Sequence, residues 1–231
     1  MCGILGWCNF KKKPSIEILR NLSKNIFSRG PDSYGEYDSE NISLVHRRLS
    51  IIDLSEKSNQ PFKDPETGNV IAFNGEIYNF KEIKNEILSQ INLKFISSGD
   101  TEVILKAYQV FGIEKLLEKL DGMFAFAIWD NKKKKLFLAR DPFGIKPLYY
   151  LKINGSYIFA SQIKSLLSID NIKFEYSDPS IVSYYLWGNI QEPFSLYKNI
   201  FSLNKGTYLT VESDGKEKSV NYANIKNLIF Y

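Results

Sequence analysis

The residue with the most chemical potential sits second in the chain. Removal of Met1 would leave Cys2 carrying a thiol and an α-amine on one residue. Their ordinary pKa values, roughly 8.5 and roughly 7.7 to 8.0, allow the amine to serve the thiol as base. Nucleophile and base on a single residue is the arrangement known for threonine with its own terminal amine, and it needs no histidine. The chain has only one, His46, which reads as a hydrogen-bonded structural group. A Met-Cys start also suits the head of a buried strand, so the rest of the chain must decide.

Three further sites could serve such a nucleophile. Asn74-Gly75 follows a short apolar strand and precedes a helical pattern, so the expectation is a strand end turning into a helix. There the Asn74 amide and the Gly75 N–H could meet at one point, as a developing oxyanion requires. Arg48 lies on an extended segment, where a guanidinium can grip a carboxylate with two hydrogen bonds. Asp100 precedes an apolar helical stripe. It reads equally as a helix N-cap or as a carboxylate holding a substrate ammonium.

The elements that must position these groups follow from periodicity. Cys2 to Phe10 reads as a strand covered on both faces. Ile16, Leu19, Leu22 and Ile26 mark a helix that Ser15 can cap. Ser28 to Gly35 is dense in turn formers, and Ser43 to Ile52 is extended. Asn79 and Glu82 suggest a capping box, with Ile83, Ile87 and Leu88 as the stripe behind it. A second helix carries Val103, Ile104, Ala107, Tyr108 and Phe111. Gly122 to Asp130 and Lys135 to Asp141 form a hairpin with a lysine-rich tip, and the first arm is apolar on both faces. Such a strand implies a sheet covered twice, by a second sheet and by helices. The expected class is therefore α+β, a four-layer helix, sheet, sheet, helix sandwich of two mainly antiparallel sheets. A further hairpin turns at Asn154-Gly155, Asp178 is expected to cap a helix from Pro179 to Trp187, and Thr207 to Val211 reads as a strand.

Composition narrows the class. With 231 residues, 44% of them hydrophobic, the chain can bury a sizeable core. Two cysteines make no disulfide framework. The apolar start is too short for a signal peptide and is followed, not preceded, by Lys11-Lys12-Lys13. The apolar run Met123 to Trp129 is far below the roughly 18 residues of a membrane span. These features point to the cytoplasm and to no membrane. A net charge of +4, with lysines gathered at a hairpin tip without interleaved aromatics, argues against nucleic acid. No clustered metal ligands stand out, and no metal is expected.

The segments Met1-Cys2-Gly3-Ile4, Arg29-Gly30-Pro31-Asp32, His46 to Asp53, Asn74 to Asn79, Gly99 to Glu102, Asp121 to Ala127 and Arg140 to Leu148 resemble the glutaminase domain of glutamine-hydrolysing asparagine synthetases. That domain is a class II, N-terminal-nucleophile amidotransferase, and the likeness runs through about residues 2 to 168 in order and spacing. It implies the N-terminal-nucleophile hydrolase form of the four-layer sandwich over residues 1–212, with 213–231 a C-terminal tail crossing toward a synthetase domain. By resemblance, Cys2 attacks the glutamine side-chain amide while Asn74 and Gly75 hold the oxyanion. Arg48 and the backbone of Leu49, Ser50, Ile51 and Ile52 bind the α-carboxylate side, and Glu76 and Asp100 hold the α-ammonium. The implied partners are glutamine and a synthetase domain or subunit that receives ammonia. A homodimer is left open. ATP and magnesium are expected only in the synthetase part, whose pyrophosphate loop does not occur before Tyr231, so this chain needs no cofactor of its own. Two other readings stand beside this one: an inactive folded interaction module, and an amidotransferase domain serving another acceptor such as a sugar carboxylate.

Overall fold

The structure is a computed structural model that describes residues 1–223. Its elements run β1 Gly3–Asn9, α1 Ile16–Leu22, a 3-10 turn Ser23–Arg29, β2 Ser33–Asp38, β3 Ile42–Arg48, β4 Phe62–Lys63, β5 Val70–Ile77, α2 Phe80–Gln90 and α3 Asp100–Lys119. They continue with β6 Gly122–Asp130, β7 Lys135–Arg140, β8 Tyr149–Ile153, β9 Ser156–Ala160, α4 Ile163–Leu166, α5 Asp178–Trp187, β10 Ile200–Ser202, β11 Thr207–Val211 and β12 Glu217–Asn221. One sheet has the order β10-β8-β9-β1-β3-β2 and the other β12-β11-β7-β6-β5-β4. Strand pairing is antiparallel in both sheets.

The alternation of side chains along β6 divides the molecule into layers. Ala125, Ala127 and Trp129 face the first sheet, where they meet Ile4, Cys8, Leu44 and Phe159. Phe124, Phe126 and Ile128 face the other way, onto Ile83 and Ile87 of α2 and Ile104 and Tyr108 of α3. A third core lies outside the first sheet, where Leu5, Val45 and Ile158 pack on Leu19 and Leu22 of α1 and Leu166 of α4. The expected four layers are therefore present. Small residues at Ala72, Ala125 and Ala127 allow close approach of the sheets. At Gly6 a Cβ would stand 2.2 Å from the Phe159 ring, so a side chain there would push the strand away from its core.

The period of two also sorts the basic trio on β3. His46 points between the sheets, where its ring lies 2.9 Å from the Phe73 carbonyl of β5. It is completely buried, and that burial pushes it down to about 4, toward a neutral imidazole. Its role is structural, as expected. Arg48 shares its parity and points toward the same gap. Arg47 points outward and stacks on Tyr34 and Phe27.

Several local expectations need correction. Asn74 and Gly75 are not at a strand end, because β5 continues through them to Ile77 with Asn74 paired to Ala125 and Gly75 to Phe124. The turn chemistry of Asn-Gly yields to tertiary pairing. The extended stretch expected to Ile52 ends at Arg48, whose register partner is Ser33. The Ser50 N–H then turns to Asp32 Oδ2 at 2.8 Å. The helix marked by Ile16 tightens after Leu22 into the 3-10 turn. The turn-rich stretch ending at Gly35 already enters β2 at Ser33.

Asn79 precedes α2 but makes no capping hydrogen bond. Its side chain instead ties Lys119 O and the Asp121 N–H, closing the start of α2 against the end of α3. Asp100 is the first residue of α3, with Gly99 at the cap, and Asp178 likewise lies inside α5. The expected tail divides differently. Residues 217–221 form β12, which pairs with β11 along its whole length, so they belong to the sheet. Residues 224–231 lie outside the described residues.

Candidate active site

The cleft opens at one end of the gap between the two sheets, and backbone parity determines what lines it. On β5, Val70 and Ala72 fill the inter-sheet core, so the next residues of the same parity, Asn74 and Glu76, reach the gap beyond that core. Cys2 arrives from the head of β1 on the opposite sheet. Cys2, Arg48, Leu49, Ile51, Ile52, Asn74, Gly75, Glu76 and Asp100 line this one cleft. Nine of the ten expected site residues are thus brought together from segments up to about 100 positions apart. Ser50 does not line it, because its N–H is turned toward Asp32.

Cys2 Sγ sits between the two backbone groups of Leu49. The Leu49 N–H donates to Sγ at 3.4 Å, and the thiol lies 3.6 Å from Leu49 O as its acceptor. Arg29 Nε donates to Cys2 O at 2.8 Å. Burial pushes the Cys2 thiol up, against the opposing influence of the Leu49 N–H and of the N-terminal, Arg48 and Arg29 cations. The resting group is therefore a thiol, and it needs a base before it can attack. The residue covering it is Met1, half exposed and lining the same cleft.

Opposite the thiol, Asn74 is 1% exposed, and its Nδ2 has no hydrogen-bond partner among the described residues. A buried amide donor left unpaired costs on the order of 1–3 kcal/mol. It stands ready for an acceptor brought by a ligand. Gly75 follows under tight steric constraint, since a Cβ there would lie 2.2 Å from Met123 O. Only glycine keeps the backbone of β5 this close to β6.

The cleft also holds charges of both signs. Arg48 Nη1 donates to Ser55 O at 3.0 Å and Asn59 Oδ1 at 2.9 Å, and Nη2 donates to Asp53 O. Three of its five N–H groups thus clamp the loop after β3. The Nε–H and one Nη2–H have no hydrogen-bond partner among the described residues. Asp100 Oδ2 accepts from the Ile77 N–H at 3.1 Å. Burial pushes the Asp100 carboxyl up to about 6, against the backbone N–H groups of Ile77, Asp100 and Thr101 and with the help of the nearby Glu76 charge. A ligand cation between Glu76 and Asp100 would relieve both the burial and the repulsion.

The structure adds residues that the sequence reading did not assign. Asp53 accepts from the Ser55 N–H, Ser58 Oγ, the Ser98 N–H and Ser98 Oγ at 2.7–2.9 Å. Burial would raise it, but these donors outweigh burial and hold its carboxyl far below the carboxylate range. Asp53 thereby fixes the Leu49 to Ser58 loop to the approach of α3. Gln60 accepts from the Phe73 N–H at 2.6 Å and donates to Thr101 Oγ1 at 3.2 Å, tying the floor of the cleft. Lys146 also lines the cleft. Neither Asp53 nor Lys146 carried a signal in the sequence, since Asp53 meets Ser98 only across 45 residues of chain and Lys146 lies in an ordinary turn.

The family model described as the glutamine amidotransferase domain matches residues 1–223. The chain is 38% identical over 221 residues to asparagine synthetase (glutamine-hydrolyzing) 1 of Bacillus subtilis, covering 93% of this chain and 34% of that protein. It is 36% identical over 240 residues to asparagine synthetase (glutamine-hydrolyzing) 2 of the same organism, covering 99% and 31%. The chain spans less than half the length of these curated relatives. Among solved structures, the glutamine phosphoribosylpyrophosphate amidotransferase of B. subtilis superposes with a TM-score of 0.68 at 17% identity, covering 96% of this chain and 49% of that one. At that identity the likeness shows a shared fold.

Proposed function

The chain belongs to the glutamine amidotransferase domain family, and from that premise we propose that it is the glutaminase part of a glutamine-hydrolysing asparagine synthetase. The observation that carries this reading is the cleft itself. A half-buried thiol, an unpaired asparagine amide donor, a guanidinium with an open edge and a pair of carboxylates line one cavity. Free glutamine presents the complementary set: a side-chain amide at one end and a zwitterion at the other.

The chemistry follows from these positions. With Met1 removed, the Cys2 α-amine takes the thiol proton and the thiolate attacks the glutamine side-chain carbonyl carbon. The Asn74 amide and the Gly75 N–H receive the oxyanion, while Arg48 holds the α-carboxylate and Glu76 and Asp100 hold the α-ammonium. Collapse of the intermediate returns the amine's proton to the leaving nitrogen and expels ammonia, leaving a glutamyl thioester on Cys2. Water, deprotonated by the same amine, then hydrolyses the thioester to glutamate and restores the thiol. None of these steps calls on a metal or nucleotide. By the family resemblance, ATP and magnesium would serve only the activation of an acceptor, aspartate in that family, in a synthetase domain or subunit.

No helix among the described residues is long and apolar enough to cross a membrane. The experiment is glutamate release from glutamine by the Met1-processed chain, with Cys2→Ala beside it. Release by the first and none by the second is expected. Equal activity in both would end the proposal, and silence in both would favour a folded interaction module.

A further inference from the structure

Lys146 is a buried cation with no assigned task. It is 5% exposed, and its Nζ has one hydrogen-bond partner among the described residues, Met1 Sδ at 3.3 Å. A buried ammonium ordinarily has a carboxylate partner, and none stands within ion-pair distance among the described residues. Its backbone, by contrast, is fixed from both sides. The Lys146 N–H donates to Asp141 Oδ2 at 2.9 Å, and Lys146 O accepts from Arg140 Nε at 2.8 Å. Asp141 Oδ2 also accepts from the Phe124 N–H of β6, and Oδ1 from the Phe143 and Ile145 N–H groups. The turn after β7 is thus built to hold this side chain at the mouth of the cleft, against the first residue of the chain.

In the proposed mechanism Met1 is removed, so the group Lys146 now touches is not the one it would meet in the processed chain. We infer that Lys146 is a positioning residue for the catalytic base: once Met1 is gone, its ammonium faces the Cys2 α-amine and, as a like charge, keeps that amine unprotonated near neutral pH. This rests on the reading of Cys2 as an N-terminal nucleophile. An amine that is already protonated cannot accept the thiol proton, so the cation would extend activity toward lower pH.

The charges facing the N-terminus come from several elements. Arg29 at the end of the 3-10 turn and Lys146 from the turn after β7 are positive, Asp32 before β2 is negative, and the Cys2 thiol lies alongside. Arg48 from β3 faces the thiol, and Glu76 from β5 and Asp141 face Lys146. Asp32 is exposed and already accepts from the Ser50 N–H, so water screens it, whereas the two cations are more deeply placed. The N-terminal amine of the Met1-bearing chain is pulled down first by burial and then by Arg29 and Lys146, against the Cys2 and Asp32 charges. Lys146 itself is pulled down by burial and by Arg29, as crowded cations should be.

The test is the pH profile of kcat/KM for glutamate release by the wild type, Lys146→Met and Lys146→Arg, each with Met1 removal verified by intact mass. Met keeps the length and apolar stem of the side chain and loses the charge; Arg keeps the charge. The acidic limb should move upward by about one pH unit in Lys146→Met, a roughly tenfold loss on that limb, and return in Lys146→Arg. A second readout needs no turnover. In a Cys2→Ser background, the pH dependence of N-terminal amine labelling should shift by the same amount when Lys146 becomes Met. An unmoved labelling curve overturns the inference about Lys146. A wild type that releases no glutamate overturns the glutaminase reading, while the labelling curve still decides Lys146.

Discussion

Asp100→Asn should stabilise the ligand-free fold and weaken the site. Asp100 is 6% exposed, with its carboxyl pushed from the ordinary 3.8 up to about 6. The fold therefore binds this proton more tightly than the unfolded chain does. Its contribution to stability is fully present below about pH 4 and is lost as pH rises to about 6. The loss amounts to about 3 kcal/mol, at about 1.4 kcal/mol for each tenfold change in proton affinity. Asparagine keeps an oxygen that can accept from Ile77 N–H and carries no charge, so the variant is spared that loss.

Urea unfolding of both proteins between pH 4 and pH 8 isolates the effect, because other titrating groups cancel in the difference. The variant's advantage should be near zero at pH 4, grow through pH 5 and level off above pH 6 at up to about 3 kcal/mol. Glutamine affinity should fall by roughly tenfold to a hundredfold at pH 8, the cost of one lost charge-assisted contact. A stability difference that stays flat with pH, or a variant less stable at every pH, would refute the argument that an ionised Asp100 is held at a cost for the sake of an ammonium.

Other expectations follow from single contacts. Asn74→Ala should lower kcat for glutamate release by roughly a hundredfold to a thousandfold with little change in KM, as loss of one oxyanion donor does; steady-state kinetics on the wild type and the variant would check it. Arg48→Lys should raise KM and also lower the melting temperature, since Arg48 clamps Ser55 O, Asp53 O and Asn59 as well as facing the cleft. A change in KM without any change in melting temperature would contradict that double role. Far from the cleft, Lys106 Nζ lies 2.6 Å from Asp64 Oδ1 with both side chains buried. Asp64→Asn should therefore cost up to about 3 kcal/mol in urea unfolding, since the buried ammonium loses its near partner and keeps only the more exposed Glu66 at 3.4 Å.

The layers were legible because β6 carries apolar residues on both faces, and only a doubly covered sheet accommodates that. The hairpin at Asn154-Gly155 was legible because both residues need positive φ, and they have 48° and 74°. The same dipeptide at Asn74-Gly75 misled because its conformation is set by pairing with β6, a partner some 50 residues away that local turn chemistry cannot see. The capping box at Asn79 failed for a similar reason, since Lys119 O and Asp121 N–H compete for the side chain. The Lys106–Asp64 pair was hidden because a lysine on a helix usually faces solvent. Candidate site residues were legible as types, a cysteine behind Met1 and an arginine on a strand, and the resemblance tied them together. Their convergence on one cleft is a property of sheet parity and register. Asp53 and Lys146 escaped notice because what distinguishes them, four convergent donors in one case and an uncompensated burial in the other, exists only in three dimensions.

The most direct test of the account is to look for the covalent intermediate. The Met1-processed chain is mixed with glutamine, quenched in acid within its first turnovers, and its N-terminal peptide is weighed. A glutamyl thioester should appear on Cys2 before glutamate accumulates and be absent from Cys2→Ala. Glutamate release at the full rate with no adduct on Cys2, or from Cys2→Ala, would contradict it.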